Sequence, residues 1–305
     1  MKTPFPVAAA AALALVSCAS PEQRDDASTA TQFSSDRITV IVRGEGPDIL
    51  LVPGLASHRD VWAGVADSLD DRYRLHLVQL NGFAGLEPSA NADGPVSAPA
   101  ADELARYITE AELERPAVIG HSMGGTIGML LAARHPGSVG RLMVVDMHPY
   151  LAELFGPPNA SADQVRETAD QFRAQILADP PGTPTGTLEQ MFPGMTRVDS
   201  LQPMLMEGVR GTDRRTAANA FHELIMADLR PELASITAPM VVLYVQPPDV
   251  PLPPEEFDRA VRASYANAPH ARLVRVQDSR HFIMFDRPGR FVAEVDSMMQ
   301  STAAR

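Results

Sequence analysis

Cys18 is the single cysteine in 305 residues, which excludes an intramolecular disulfide and a thiolate-bound metal cluster. No helix-spaced or hairpin-spaced set of histidines and carboxylates stands out as a ligand pattern either, so neither a metal nor another cofactor is expected. Basic charge is scarce. The chain carries 26 Lys and Arg against 38 Asp and Glu, a net charge of -12, and no stretch gathers the basic residues into one face. A phosphate backbone would be repelled rather than neutralised, so nucleic acid is excluded as a partner. Internal repeats are absent, and so is any apolar run after the N-terminus that could span a membrane. What the chain has in quantity is apolar side chains, 45% of the whole, enough for one sizeable core with an insertion.

Residues 1–17 begin with Lys2 and continue into an Ala-rich apolar run over 7–16. That run is too short to cross a bilayer as a helix and has the form of a signal-peptide core, to be set aside from the fold. It ends in Leu15-Val16-Ser17-Cys18, which resembles the bacterial lipobox. The resemblance implies a lipidated Cys18 at the mature N-terminus and a lipid anchor in the bacterial cell envelope, facing the periplasm or in the outer membrane. Several acyl chains would be needed, since one holds a protein only marginally. The plainer alternative is a secretory signal cut at the small residues around Ser17-Cys18-Ala19, with the cysteine incidental. Residues 18–35 are small and polar, too poor in apolar groups to order themselves, and are expected to form a flexible tether.

From Arg37 onward, short aliphatic runs alternate with longer helical patterns, the signature of an α/β fold with a mostly parallel sheet flanked by helices. Strands are expected at 38–42, 49–52, 75–78, 117–120, 142–145, 240–245 and 272–276. Several are apolar throughout, as strands buried on both faces must be. Helices are expected at 59–69, 100–112, 123–134, 254–267 and 288–300. The rhythm breaks after Asp146: helical patterns at 162–177 and 212–228 are separated by Pro-, Gly- and Met-rich stretches without convincing strands. The expected organisation is a core over 36–146 and 237–305, with a helical cap over 147–236 sitting above the strand ends, where ligands bind. Met191, Met195, Met204 and Met206 either adapt to apolar ligands or fill the cap's own core; Met226 reads as core.

The most specific signal is Gly120-His121-Ser122-Met123-Gly124-Gly125, a G-x-S-x-G motif between an expected strand and an expected helix. A sharp strand-to-helix turn leaves no space for side chains at Gly120 and Gly124 and presents the Ser122 hydroxyl at a helix N-terminus. There, unpaired N–H groups and the helix dipole favour the negative charge that develops in acyl transfer. His121 reads as structural, its side chain directed away from the serine hydroxyl. On these motifs the chain resembles the α/β-hydrolase superfamily from about Arg37 to Met299.

The resemblance implies an oxyanion hole made by the backbone N–H of Met123 and of Leu55, the latter in the run Val52-Pro53-Gly54-Leu55 after a strand. Relatives often carry His-Gly before that donor; Pro53-Gly54 departs from this but keeps the glycine. A general base must come late, and His281 lies in Ser279-Arg280-His281-Phe282, beyond the last expected strand. The other histidines fall on strands, helix ends or cap positions and read as ordinary groups. For the acid that orients the base, Asp249 follows the strand at 240–245 in Gln246-Pro247-Pro248-Asp249 and is the first choice. Asp146, at the end of the preceding strand, is the alternative, and Asp278 is too near His281 in the chain.

Serine rather than aspartate as nucleophile argues against the aspartyl-ester chemistry of dehalogenases and epoxide hydrolases on the same scaffold. The expected activity is hydrolysis of a carboxylic ester, a small and apolar one given the cap, through an acyl-enzyme on Ser122. An acyltransferase, a lactonase or a carbon–carbon hydrolase would use the same residues, and a non-catalytic envelope-binding lipoprotein is the rival from another class.

Overall fold

The computed structural model describes Met1 and residues 31–155, 160–180, 186–248 and 250–301. The expected signal peptide after Met1, Cys18 and Asp249 lie outside them. An eight-stranded sheet runs through the molecule: β1 (Thr31–Ser34), β2 (Ile38–Arg43), β3 (Asp48–Val52), β4 (Arg74–Leu80), β5 (Ala117–His121), β6 (Arg141–Val145), β7 (Met240–Tyr244) and β8 (Arg272–Arg275), in the order β1-β2-β4-β3-β5-β6-β7-β8. β2 is antiparallel to both β1 and β4, and every other pairing is parallel. All seven expected strands are present. β1 corrects the tether: residues 31–34 pair with Ile41, Val40 and Thr39 and so belong to the sheet edge. A polar Thr-Gln-Phe-Ser run carries no apolar alternation, and its backbone pairing needs none.

Eleven helices follow in chain order among the described residues. They are α1 (Ala63–Leu69), α2 (Ser97–Glu110), α3 (Met123–Arg134), α4 (Ala152–Phe155), α5 (Ala162–Ala178), α6 (Thr187–Met191), α7 (Gln202–Arg210), α8 (Arg214–Met226), α9 (Pro254–Ser264), α10 (Ile283–Asp286) and α11 (Pro288–Gln300). The central strands are buried along their length, with Ile49, Leu50, Leu51 and Val52 of β3 fully enclosed. Each such side chain contributes about 1.5–3 kcal/mol of burial. Helix α3 lies on β5 and β6, buried almost all round, and it approaches so closely that a Cβ at Gly128 would stand 2.9 Å from the Leu142 side chain.

The cap contains α4 to α8, and α5 packs lengthwise on α8 with Phe172 edge-on to Phe221. Its ends meet at a stem. Tyr150 and Asp228 form an antiparallel bridge, the Leu229 amide donates to the Pro149 carbonyl at 2.8 Å, and the Arg230 guanidinium lies 4.5 Å over the Tyr150 ring. The cap is also tied to the core through Glu223 of α8. Its carboxylate accepts from the amides of Val96, Ser97 and Ala98 at 2.7, 2.6 and 3.0 Å, at the start of α2. No side chain of α2's own N-cap residue does this, so a residue 125 or more positions away supplies the acceptor and the favourable negative charge.

Candidate active site

Ser122 sits between β5 and α3 in the left-handed region, at φ 53° and ψ -122°. Strain of this kind costs of order 1–3 kcal/mol and persists only where the surroundings impose it. Here they do. A Cβ at Gly120 would lie 2.0 Å from the Gly124 carbonyl oxygen, and one at Gly124 would lie 2.2 Å from that of Val52, so the turn closes only with glycine at both positions. The Ser122 amide donates to the Val145 carbonyl at 2.9 Å, and its carbonyl accepts from Gly125 at 2.7 Å. Its side chain faces a cavity of about 620 Å³ together with Gly54, Leu55, Asp146 and His281. The amide of Met123 is the first of α3 and has no intrahelical acceptor. A Cβ on Gly54 would come within 3.0 Å of the Ser122 Cβ, which puts the Gly54-Leu55 backbone against the serine.

His281 lies in the loop between β8 and α10 and is fixed from three directions. Its Nδ1 is 2.7 Å from Oδ2 of Asp146. Its carbonyl accepts from His121 Nε2 at 3.1 Å, and the next amide, Phe282, donates to the Met195 carbonyl in the cap at 3.0 Å. A carboxylate only accepts, so Nδ1 carries the proton, and in the neutral ring this tautomer leaves the lone pair on Nε2. Asp146 is held in turn: its Oδ1 accepts from the Val245 amide at 3.0 Å and its own amide donates to the Leu243 carbonyl at 2.7 Å.

His281 pairs with Asp146, the alternative acid, while Asp249, the first choice, lies outside the described residues. Position in the chain identifies strand ends; it does not say which one turns its carboxylate toward the histidine. Asp146 does so through a left-handed φ of 51°, invisible in the residue pattern.

His121, expected to be directed away from the serine, lines the same cavity as Ser122, its ring 4.5 Å from that of His281. It is almost fully buried, its ring tilted against that of Phe282 with centroids 4.6 Å apart, and its Nδ1 has no partner among the described residues. Burial, reinforced by the neighbouring His281, pushes its pKa well below the usual imidazole range, so the ring stays neutral. Of the histidines read as ordinary, His76 is buried against Asp48 and Tyr107, and His58, His135 and His222 pair with nearby aspartates. His148 departs from that reading: it lines the cavity two residues after Asp146. Burial lowers its pKa against the opposing pull of Asp146 and Glu153. Arg280, beside His281, also lines the cavity and was missed. Adjacency to a strand end or to the candidate base is the signal that could have flagged both.

Apart from Ser57, the rest of the lining is apolar, with Leu151, Met191, Phe192, Met195, Phe221 and Leu224 contributed by the cap. Met191 and Met195 therefore reach the cavity, whereas Met204, Met206 and Met226 pack partly buried against the core.

Over residues 49–295 the chain matches the alpha/beta hydrolase family, and it belongs to that family as an enzyme of the hydrolase class. It is 27% identical over 265 residues to the pimeloyl-[acyl-carrier protein] methyl ester esterase of Nitrosomonas europaea, covering 86% of this chain and 99% of that protein. Among solved structures, the enol-lactonase from Burkholderia xenovorans LB400 superposes with a TM-score of 0.70 at 20% identity, covering 87% of this chain and 96% of that one. The thermophilic esterase from Thermogutta terrifontis gives 0.69 at 20% identity, covering 88% and 96%. These two likenesses speak for the fold.

Proposed function

We propose that this enzyme hydrolyses a small carboxylic ester with an apolar acyl group, through an acyl-enzyme on Ser122. The observation that carries the reading is one cavity holding a strained serine at a helix N-terminus and a histidine already hydrogen-bonded to a carboxylate. His281 Nε2 takes the Ser122 proton as the hydroxyl oxygen bonds to the ester carbonyl carbon. The oxyanion that forms is met by the amides of Met123 and Leu55. Its collapse breaks the carbon–oxygen bond to the alcohol, which leaves with the proton from His281. Water then repeats the sequence on the acyl-enzyme and releases the acid and Ser122. Asp146 holds the imidazole in the required tautomer and stabilises the imidazolium without taking the proton itself. Similarity to a methyl ester esterase over most of both chains supports ester hydrolysis as the reaction.

The test is labelling of the full-length protein by a fluorophosphonate probe beside turnover of short- and medium-chain aryl esters. Both should vanish in Ser122→Ala, and turnover should vanish in His281→Ala. A folded wild type that neither labels nor turns over any ester would overturn the reading in favour of a binding lipoprotein.

Export as a lipoprotein is part of the same proposal, supported by the lipobox-like residues that end at Cys18. Detergent partitioning checks it: wild type should enter the detergent phase and Cys18→Ala the aqueous one. Both forms in the aqueous phase would defeat the anchor.

A further inference from the structure

We propose that the ester this enzyme cleaves carries an anion, a carboxylate or a phosphate, on its alcohol part, and that Arg197 and Arg280 hold that anion outside the Ser122 cavity. The inference rests on the hydrolase reading of Ser122 and His281. Next to the apolar cavity lies a second one of about 550 Å³, and the two share Pro193, Gly194 and Arg280 as a common wall. The chemistry changes across that wall. Arg197, Asp199 and Gln202 line the outer chamber, where the inner one presents thioether, aliphatic and aromatic side chains.

The two arginines are 83 positions apart, and one carboxylate brings them side by side. Asp286 Oδ1 accepts from the Arg197 amide and from Thr196 Oγ1, both at 2.7 Å, and Oδ2 accepts from the Arg280 amide at 2.6 Å. With three donors on its oxygens, Asp286 is engaged with the backbone and does not line the chamber. Arg280 spends Nη1 on the Gly194 carbonyl at 2.7 Å, which leaves Nε and Nη2. The Arg197 guanidinium makes no hydrogen bond or ion pair among the described residues. Asp199 is the one carboxylate on the wall. Two guanidinium groups with unused planar donors favour a carboxylate or phosphate, and of the two nearby acids only Asp199 shares the wall with them, Asp286 being turned to the amides and to Thr196. Charges more than about 8 Å away are largely screened at physiological salt, so the net charge of -12 opposes this weakly and the groups on the spot decide.

His281 must protonate the departing oxygen, and Arg280 is the charged side chain that lines both cavities, so the proposed seat of the alcohol is toward the outer chamber. The acyl group remains in the apolar cavity.

The experiment compares kcat/KM for 4-butyryloxybenzoate, 4-butyryloxyphenyl phosphate and neutral 4-butyryloxybenzamide, each divided by its hydroxide-catalysed rate. Wild type should favour at least one anionic ester by about tenfold, chiefly in KM. The arm with the larger preference identifies carboxylate or phosphate as the natural group. The preference should shrink with added salt, and in Arg197→Gln and Arg280→Gln it should fall toward one. Arg197→Gln guards against loop disturbance, because its side chain supports no other residue. Equal rates on all three esters in wild type, or an anionic preference untouched in both variants, would overturn the proposal while leaving the hydrolase reading intact. Absence of turnover and of fluorophosphonate labelling would overturn both.

Discussion

On the sheet side of the cavity, the Ser122 amide, the Asp146 carboxylate and the His281 carbonyl each hold a hydrogen bond to the scaffold. On the cap side, Met191, Phe192, Met195, Phe221 and Leu224 meet the cavity with apolar side chains alone. The first wall has directional partners at 2.7–3.1 Å and glycines that admit no Cβ; the second has flexible thioethers and rings that can repack. Bond-making chemistry needs fixed geometry, and apolar recognition needs only shape and volume. A substitution on the sheet wall should therefore act on kcat, and one on the cap wall on KM.

The largest effect expected is at Asp146. Asp146→Asn should lower kcat by about 10⁴-fold with little change in KM, because an amide at that position favours the wrong imidazole tautomer. Asp249→Asn should cost less than about tenfold, a difference steady-state kinetics on an aryl ester will read. A larger loss at Asp249 would break the assignment of the acid. Next comes the joint between the walls: Glu223→Ala leaves three amides at the start of α2 without their acceptor and should destabilise by about 2 kcal/mol in urea unfolding. Glu223→Gln should recover part of it, since the amide oxygen still accepts.

A smaller effect is expected from pH. Burial holds the His121 and His148 pKa values below those of the unfolded chain, near 6.5. As pH falls below about 6.5 the unfolded chain binds the extra protons, so stability present above that pH is lost downward, by up to about 1.4 kcal/mol per unit for each group. The melting temperature of wild type should drop between pH 7.5 and 5.5, and less steeply in His121→Phe. Least of all, Met191→Ala and Met195→Ala should shift KM by about threefold to tenfold in favour of longer acyl chains, with kcat held within about twofold. A matching loss of kcat would erase the contrast between the walls.

Much of the sheet wall was legible in the residue pattern. Runs such as Ile49-Leu50-Leu51-Val52 and Leu142-Met143-Val144-Val145 can only be buried strands, and Gly120 to Gly124 specifies a turn by exclusion of side chains. The bounds expected for α3 and α11 agree with those observed. Less legible were features that depend on orientation or on distant partners. Asp146 and Asp249 each follow a strand, and the left-handed φ that accompanies the Asp146 contact with His281 leaves no mark in the residue pattern. Glu223 reads as one more helix-surface acid until α2 is placed beside it. His148 and Arg280 belong to no motif, and their one signal is position, beside a strand end and beside the candidate base.

The stem at Tyr150 and Asp228 has a bearing on how such enzymes diversify. Because the bridge brings the two cap ends together, everything between them is a looped-out cassette whose termini are neighbours. A segment of different length or helix count could be spliced between Pro149 and Leu229 without altering the register of β6 with β7, provided that it again closes the stem and replaces the ties from Glu223 to the start of α2 and from the Met195 carbonyl to the Phe282 amide. The nucleophile turn allows no comparable variation. Recombination at the stem is thus a route by which one reaction centre acquires new ligands, and a chimera that carries another hydrolase's cap on this stem would be a direct way to transplant specificity.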